Sequence, residues 1–402
     1  MKNQKIILAI IVFSQFCCIS LWFAGNAVMD DLLIEYELNE NALGHLTSAV
    51  QFGFISGTLI FAVLTISDRF SPSKVFFISA VLGAIFNILM VFEGNSYLSL
   101  LILRFLTGFF RAGIYPVGMK IAADYFRKGL GVSLGFLVGA LVVGTAFPHV
   151  LQGFSGDISW RSVIIITSML SFTGGLFIVV FIKNGPFRKA SQHFEPSVFF
   201  RVFKNKKFKS AAFGYFGHMW ELYAFWAFTP LLLITYQDQH PHTSFNIPLL
   251  SFIIISSGGI ASVLGGYISL RYGTRKTAFS ALMLSCLCCL ISPLMLITDN
   301  SVIFIAYLIF WGMVVIADSP LFSTLVANNV NHESKGTALT IVNSIGFSIT
   351  IISIQMLNIL SQFMNPQMIY IFLAIGPILG LLALNNQRSR INGGSFNYQS
   401  PA

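Results

Sequence analysis

The chain has 402 residues, of which 55% are hydrophobic and only 10% charged, against roughly 25% charged in an ordinary soluble domain. Its net charge of +9 comes from basic residues concentrated in the gaps between long apolar blocks, a pattern of membrane topology that leaves nucleic acid no place as a partner. All five cysteines, Cys17, Cys18, Cys286, Cys288 and Cys289, fall inside apolar blocks, so core packing is expected and no disulfide framework follows.

Twelve apolar blocks succeed one another near 6–28, 42–66, 75–92, 98–123, 130–150, 162–182, 210–236, 247–270, 277–297, 302–328, 336–360 and 367–385. Each has about the twenty residues that cross a ~30 Å hydrocarbon core at 1.5 Å per residue. Lipid offers no partner for backbone N–H and C=O groups, and continuous apolar blocks lack the alternation of barrel strands, so the expectation is an all-helical membrane protein. Span 1 follows Met1–Lys5 like a signal peptide, but it exceeds the usual apolar core of one and reads as an uncleaved helix. It carries Gln15, Trp22 and Asn26 at spacings of 7 and 4, one face that suits either a substrate stripe or helix–helix hydrogen bonding.

Span 4 places Arg104, Gly108, Arg111 and Tyr115 on one face at spacings of 4, 3 and 4, with Arg111 near mid-bilayer. A lipid-facing Arg there costs at least ~2.5–3.5 kcal/mol, so the face should meet a wet, protein-lined interior. Span 5 carries Gly131, Gly135, Gly139, Gly144 and Pro148, and span 8 carries Gly258, Ser262 and Gly265, steps that let helices approach closely. Span 7 brings His218 and Glu221 to a depth similar to that of Arg111, and span 10 brings Asp318 beside Pro320. Such groups suit a central binding site with proton exchange; the structural alternative is a buried Arg–Glu or Arg–Asp pair that only orients helices. His45 and His149, near the other membrane face, are expected to be structural.

The termini and the gaps after even-numbered spans hold 20 of the 24 Lys and Arg, whereas the opposite side has only Arg161 and nine acids. The positive-inside rule then puts both termini in the cytoplasm, in a plasma (inner) membrane. The stretch 183–209 holds eight Lys/Arg. Its basic, Phe-rich part at 198–209 reads equally as an amphipathic surface segment or a solvated linker. The chain also repeats itself: 68–74 aligns with 270–276 at an offset of 202, Gly108 and Pro116 align with Gly312 and Pro320 at 204, and Leu21-Trp22 aligns with Met219-Trp220 at 198. The expected organisation is a six-helix bundle over 1–182, a basic linker over 183–209, a second bundle over 210–390 and a tail over 391–402.

Two six-helix repeats joined by a basic linker resemble the major facilitator superfamily of secondary transporters, in its bacterial form. That family's signature after helix 2, Gly-x-x-x-Asp-Arg-x-Gly-Arg-Arg/Lys-Lys, is matched by Asp68, Arg69 and Lys74, while Leu64, Ser71, Pro72 and Ser73 depart from it. After helix 8 it is matched by Gly266, Arg271, Gly273, Arg275 and Lys276, with Leu270 replacing the Asp. Arg104-x-x-x-Gly108 resembles the helix 4 motif, and Gly135-x8-Gly144 the antiporter motif of helix 5, whose Pro arrives three residues late at Pro148. The resemblance implies twelve helices, gating contacts from Asp68, Arg69, Asp124, Arg271 and Arg275, and specifically an Arg69–Asp124 latch. It also implies transport of a small solute by alternating access in a monomer within the lipid bilayer. Arg111, Arg104, Tyr115, Gln15, Trp22 and Asn26 are then the expected substrate contacts, and Glu221, Asp318 and His218 the expected path for H+.

The Arg pair favours an organic anion, because guanidinium binds carboxylates bidentately. Efflux of an amphiphile is the rival within this class, and a polytopic membrane enzyme or non-transporting receptor the rival outside it. No phosphate-binding Gly-x-x-x-x-Gly-Lys-Ser/Thr occurs and His332-Glu333 lacks the second His of a zinc-protease helix, so no enzyme, metal or cofactor is expected. Import against export stays open.

Overall fold

The computed structural model describes residues 2–39, 41–126, 130–154, 158–188, 201–331 and 335–385. Its elements are helical throughout: α1 (Lys2–Ile19), α2 (Ala24–Ala27), α3 (Met29–Glu35), α4 (Ala42–Val63), α5 (Ile66–Arg69), α6 (Pro72–Ile88), α7 (Tyr97–Arg111), α8 (Tyr115–Tyr125), α9 (Leu130–Phe154), α10 (Trp160–Phe181), α11 (Lys206–Gln239), α12 (Ile247–Tyr272), α13 (Thr274–Leu296), α14 (Ser301–Ala317), α15 (Ser319–Asn328), α16 (Lys335–Phe363), a 3-10 segment at Ile369–Ala374, and α17 (Ile375–Asn385). Among the described residues, nine helices are long and apolar enough to cross a membrane, and Gln4–Ile19 and Ile369–Asn385 are shorter apolar helices.

The helix starts follow local chemistry. Ser96, Ser159, Asn205, Asn246 and Asn300 each accept a hydrogen bond from a first-turn N–H, which satisfies donors that have no partner inside the helix. Three predicted spans are broken near their middles. The first stops at Ile19 and resumes at Ala24; the fourth breaks between Arg111 and Tyr115, and the tenth at Asp318. In the last two, Pro116 and Pro320 enter the new helix at its first turn, where the missing N–H costs nothing, and they bar the preceding turn from continuing.

Glycine notches hold each half of the chain together. A Cβ on Gly53 would lie 1.9 Å from the carbonyl oxygen of Phe105, and one on Gly108 2.0 Å from that of Val50, so α4 and α7 touch backbone to backbone. The same device recurs between α12 and α14, where a Cβ on Gly258 would meet Gly312 O at 2.8 Å and one on Gly312 would meet Ile254 O at 2.2 Å. Positions 204 or 205 apart thus do the same job in the two halves, as the repeat registers predict.

The halves meet along two seams, α4 against α16 and α9 against α12. The α9–α12 seam is a wedge. At one end a Cβ on Gly153 would lie 2.8 Å from Leu249 N; midway, one on Gly139 would lie 3.9 Å from Gly259 O; at the other end Gly135 and Gly266 have nothing within 4 Å. The tight end carries the acidic loops and the open end the basic ones. In the half nearer the basic end an apolar groove of about 710 Å³ opens between α1, α9 and α12, walled by Phe13, Phe16, Phe136, Val143, Ile260 and Leu264.

Neutral amides clasp the acidic end. Gln355 Nε2 donates to Gly44 O (2.9 Å) and Ser48 Oγ (2.7 Å), Asn358 Nδ2 and Gln362 Nε2 donate to Asn41 Oδ1, and Asn246 Nδ2 donates to Gly153 O (2.9 Å). Arg161, the lone basic residue of that side, pairs with Glu35 and lies 3.9 Å from Glu93. On the same side Asp31 accepts from Gln152 Nε2 (3.2 Å); partial burial and the adjacent Asp30 charge hold its carboxyl above the usual range.

Candidate functional site

The break in the first span creates the central site. Helix α1 ends at Ile19, inside the first predicted span; Ile19 O accepts from Trp22 N (2.9 Å), and the last carbonyls keep acceptor capacity that no later helical N–H fills. Two arginines on the buried face of α7 supply the donors. Arg104 Nη1 donates to Leu21 O (3.2 Å) and its Nη2 to Trp22 O, while Arg111 Nη1 donates to Ile19 O (3.0 Å). Both are fully buried, and the partial negative charge of a helix C-terminus is where a cation is favoured.

With its turn held this way, Trp22 lays its ring under the Arg111 guanidinium, 4.0 Å from the ring centroid to Cζ, in cation–π contact. Tyr223 and Phe347 of the second half stack on the same indole, with centroids at 5.2 and 5.7 Å, and Phe54 leans on it at 5.2 Å. An aromatic plug therefore joins the halves at the level of the arginines. In the first half lie buried polar atoms without a partner: Arg111 Nε and Nη2, Trp22 Nε1, and both ends of the Gln15 and Gln51 amides. Gln51 is one helical turn before Phe54, whereas the Gln15 amide, one turn before Ile19, lies against α8, where a Cβ on Gly118 would stand 2.3 Å from its Oε1.

Of the expected substrate contacts, the structure brings together Arg111, Arg104 and Trp22, while Gln15 lies against α8. Tyr115 begins α8 beyond the break and packs against the large core cluster that crosses between the halves. Asn26 points elsewhere: its Nδ2 donates to Thr47 Oγ1 at 2.7 Å, which makes it helix–helix glue. His45 pairs with Tyr97, and His149 is buried with Nε2 unpartnered.

The carboxylates are separate from the arginines. Glu221 lies within the second half, where Oε1 accepts from Trp311 Nε1 (2.6 Å) and Oε2 from Ser285 Oγ (2.8 Å). His218 is on the same helix but turns to Asp318, its Nδ1 2.7 Å from Oδ1, at ion-pair distance though off the hydrogen-bond line. This contact ties α11 to the break between α14 and α15. Among the described residues no carboxylate pairs with Arg104 or Arg111; backbone carbonyls take that place.

The latch also differs from expectation. Arg69 Nε donates to Thr65 Oγ1 (3.1 Å), and the cations acting on Asp124 are Lys120 and Arg188. The linker takes the position meant for the loop: Phe187 N donates to Asp124 O (3.0 Å), Tyr125 Oη to Lys183 O (2.7 Å), and Arg188 Nη2 to Phe70 O (2.9 Å). The Asp68 side chain and His332-Glu333 lie outside the described residues. Arg275 donates to Leu384 O and thereby ties α13 to the last helix, while Arg271 stacks on Tyr272 at 5.5 Å. In the later linker Val202 and Phe208 are buried, whereas Arg201, Lys204, Lys206, Lys207 and Lys209 are exposed.

Sequence reasoning missed Tyr223, Phe347, Trp311 and Ser285. Each acts through a partner at least 64 positions away, and no local spacing announces such a contact.

A two-half helical bundle with a mid-membrane polar site is the build of a secondary transporter, and the comparisons agree. The sequence pattern of the Major Facilitator Superfamily matches residues 11–354, and the chain belongs to that family. The fold is similar to that of a bacterial homologue of the human lysosomal transporter Spinster in an inward-facing, unoccupied conformation, with TM-score 0.72, 14% identity and 99% of each chain covered. It is similar to a point mutant of the nucleoside transporter NupG, with TM-score 0.72, 16% identity, and 96% of this chain and 99% of that one covered. In sequence, the efflux pump FUBT of Fusarium oxysporum is 29% identical over 196 residues, 46% of this chain and 32% of the pump. An ascochitine biosynthesis cluster MFS transporter of Didymella fabae is 30% identical over 155 residues, 38% of this chain and 29% of that protein. The matches thus span about a third of the length of these curated relatives. The protein is an integral membrane member of that superfamily.

Proposed function

We propose that this transporter carries a small organic anion across the plasma (inner) membrane by alternating access, coupled to protons. The halves 1–182 and 210–390 rock as units about the Trp22 plug, with both termini and the basic end in the cytoplasm. The observation that carries the reading is the Arg111 guanidinium, buried at mid-span with Nε and Nη2 unpartnered and with no carboxylate of its own. A desolvated cation held this way is stabilised when a bound anion supplies the missing acceptors. Removing one partner of such a contact typically costs ~2–5 kcal/mol, so Arg111→Ala should weaken substrate binding by roughly 30- to 5,000-fold.

The wedge-shaped seam supports an inward-open state, with the acidic end closed by amides. The relatives named as efflux pumps support export as the direction, and proton antiport is its natural energy source. Glu221 and the His218–Asp318 pair are the proton-carrying groups, in a monomeric unit that uses no enzyme chemistry. The test is counterflow and pH-driven uptake in proteoliposomes, with and without Arg111→Ala. A second reading, export of a neutral amphiphile, is favoured by the aromatic plug; unchanged binding in Arg111→Ala would select it.

A further inference from the structure

We infer that the anion is a monocarboxylate on an apolar body about the size of an aromatic ring; this rests on the assignment of Arg111 as the anion contact. A guanidinium presents its donors as edges, and the Nε–Nη2 edge is the one that meets a carboxylate side-on with two parallel hydrogen bonds. In Arg111 that edge is the unpartnered one, because Nη1 is spent on Ile19 O and the flat face lies on Trp22. The guanidinium can neither turn away nor close the edge on a neighbour, so it is set for one planar, two-oxygen acceptor.

Arg104 offers no second edge. Its two terminal nitrogens are committed to Leu21 and Trp22 carbonyls, and its Nε side is covered by the backbone at Gly25, where a Cβ would stand 3.3 Å from Nε. Arg104 Nε is itself unpartnered, but as a single donor with both terminal nitrogens spent it makes no two-donor edge, and the other unpartnered groups near Arg111, Trp22 Nε1 and the Gln51 amide among them, are neutral. A second carboxylate, or the further charge of a phosphate monoester, would therefore find no second two-donor edge: the Arg104 charge lies behind the carbonyls it holds and cannot meet it side-on. Trp22, Phe54, Tyr223 and Phe347, packed on one another beside Arg111, surround that edge with apolar ring surface instead of further charge.

The test is a ligand series on the purified full-length protein, read as the shift in thermal unfolding with concentration and followed by counterflow of the same compounds. Benzoate should stabilise at concentrations at least ~10-fold below those needed for phthalate or succinate, and benzamide, of the same shape without the charge, should not stabilise. In Arg111→Lys, checked for monodispersity, the apparent affinity for benzoate should fall at least ~30-fold, because a point charge cannot copy the planar fork. The wild-type series is decisive without the variant. Tighter binding of phthalate or succinate than of benzoate, with loss in Arg111→Lys, would overturn the monocarboxylate assignment and leave the organic-anion reading standing. Equal binding of benzamide and benzoate, unaffected by Arg111→Lys, would overturn both.

Discussion

Glu221 and Asp318 are met in different ways, and the proposed proton coupling draws on that difference. Neutral donors, the Trp311 indole and the Ser285 hydroxyl, hold Glu221, and gaining or losing a proton there alters no salt bridge. Asp318 faces His218 at 2.7 Å, a contact that joins α11 to the α14–α15 break. Glu221→Gln keeps shape and hydrogen bonding but releases no proton. It should abolish pH-driven accumulation in proteoliposomes while counterflow exchange continues within about 2- to 3-fold of wild type, a range set by the sub-kcal/mol cost of a near-isosteric change. Accumulation that survives the change would move the coupling role to the His218–Asp318 pair.

At the scale of elements, the close approach of helices sets both stability and gating. Gly108 fills a backbone-to-backbone notch against Val50, and overpacking such a contact typically costs ~1–3 kcal/mol or more. Gly108→Leu should lower the unfolding temperature in detergent, whereas Gly135→Ala, whose Cβ meets nothing within 4 Å, should leave it unchanged or raise it slightly. Gly44 sits in the acidic-end clasp, where a Cβ would lie 2.5 Å from Asn358 Cγ. Gly44→Ala should push α4 from α16 and shift the population towards a state open at the acidic end. Spin labels at the exposed Ile34 and Met368 would report it as a longer distance, and an unchanged distribution would remove Gly44 from the gate. The clasp consists of amides, so its closure should respond little to ionic strength.

For the whole molecule, the sorting of charge to opposite ends fixes the expected orientation. A reporter fused after residue 195 should read cytoplasmic and one fused within 237–246 external; the reverse would overturn the topology and, with it, the assignment of the present state as inward-open. Buried charge is divided in a related way. The two central arginines belong to the first half and the carboxylates Glu221 and Asp318 to the second. In the proposed function the anion contact and the proton-carrying groups thus belong to different halves, and the Trp22–Tyr223–Phe347 stack is one of the contacts that join them.

The sequence by itself determined the membrane character, the repeat and the face of Arg104 and Arg111, because bilayer thickness and helical periodicity act on neighbouring residues. It read spans 98–123 and 302–328 as continuous, with Pro116 and Pro320 serving only to register the repeat, and gave no sign of the break at 20–23, where arginines more than 80 positions away hold the carbonyls. Only the tertiary structure decided that Arg104 is spent on carbonyls, that Arg111 keeps one edge free, that Asn26 is glue, and that the linker rather than Arg69 covers Asp124. Each of these turns on which of several partners a side chain reaches. A local pattern ranks such partners equally, and only the packing of distant helices separates them.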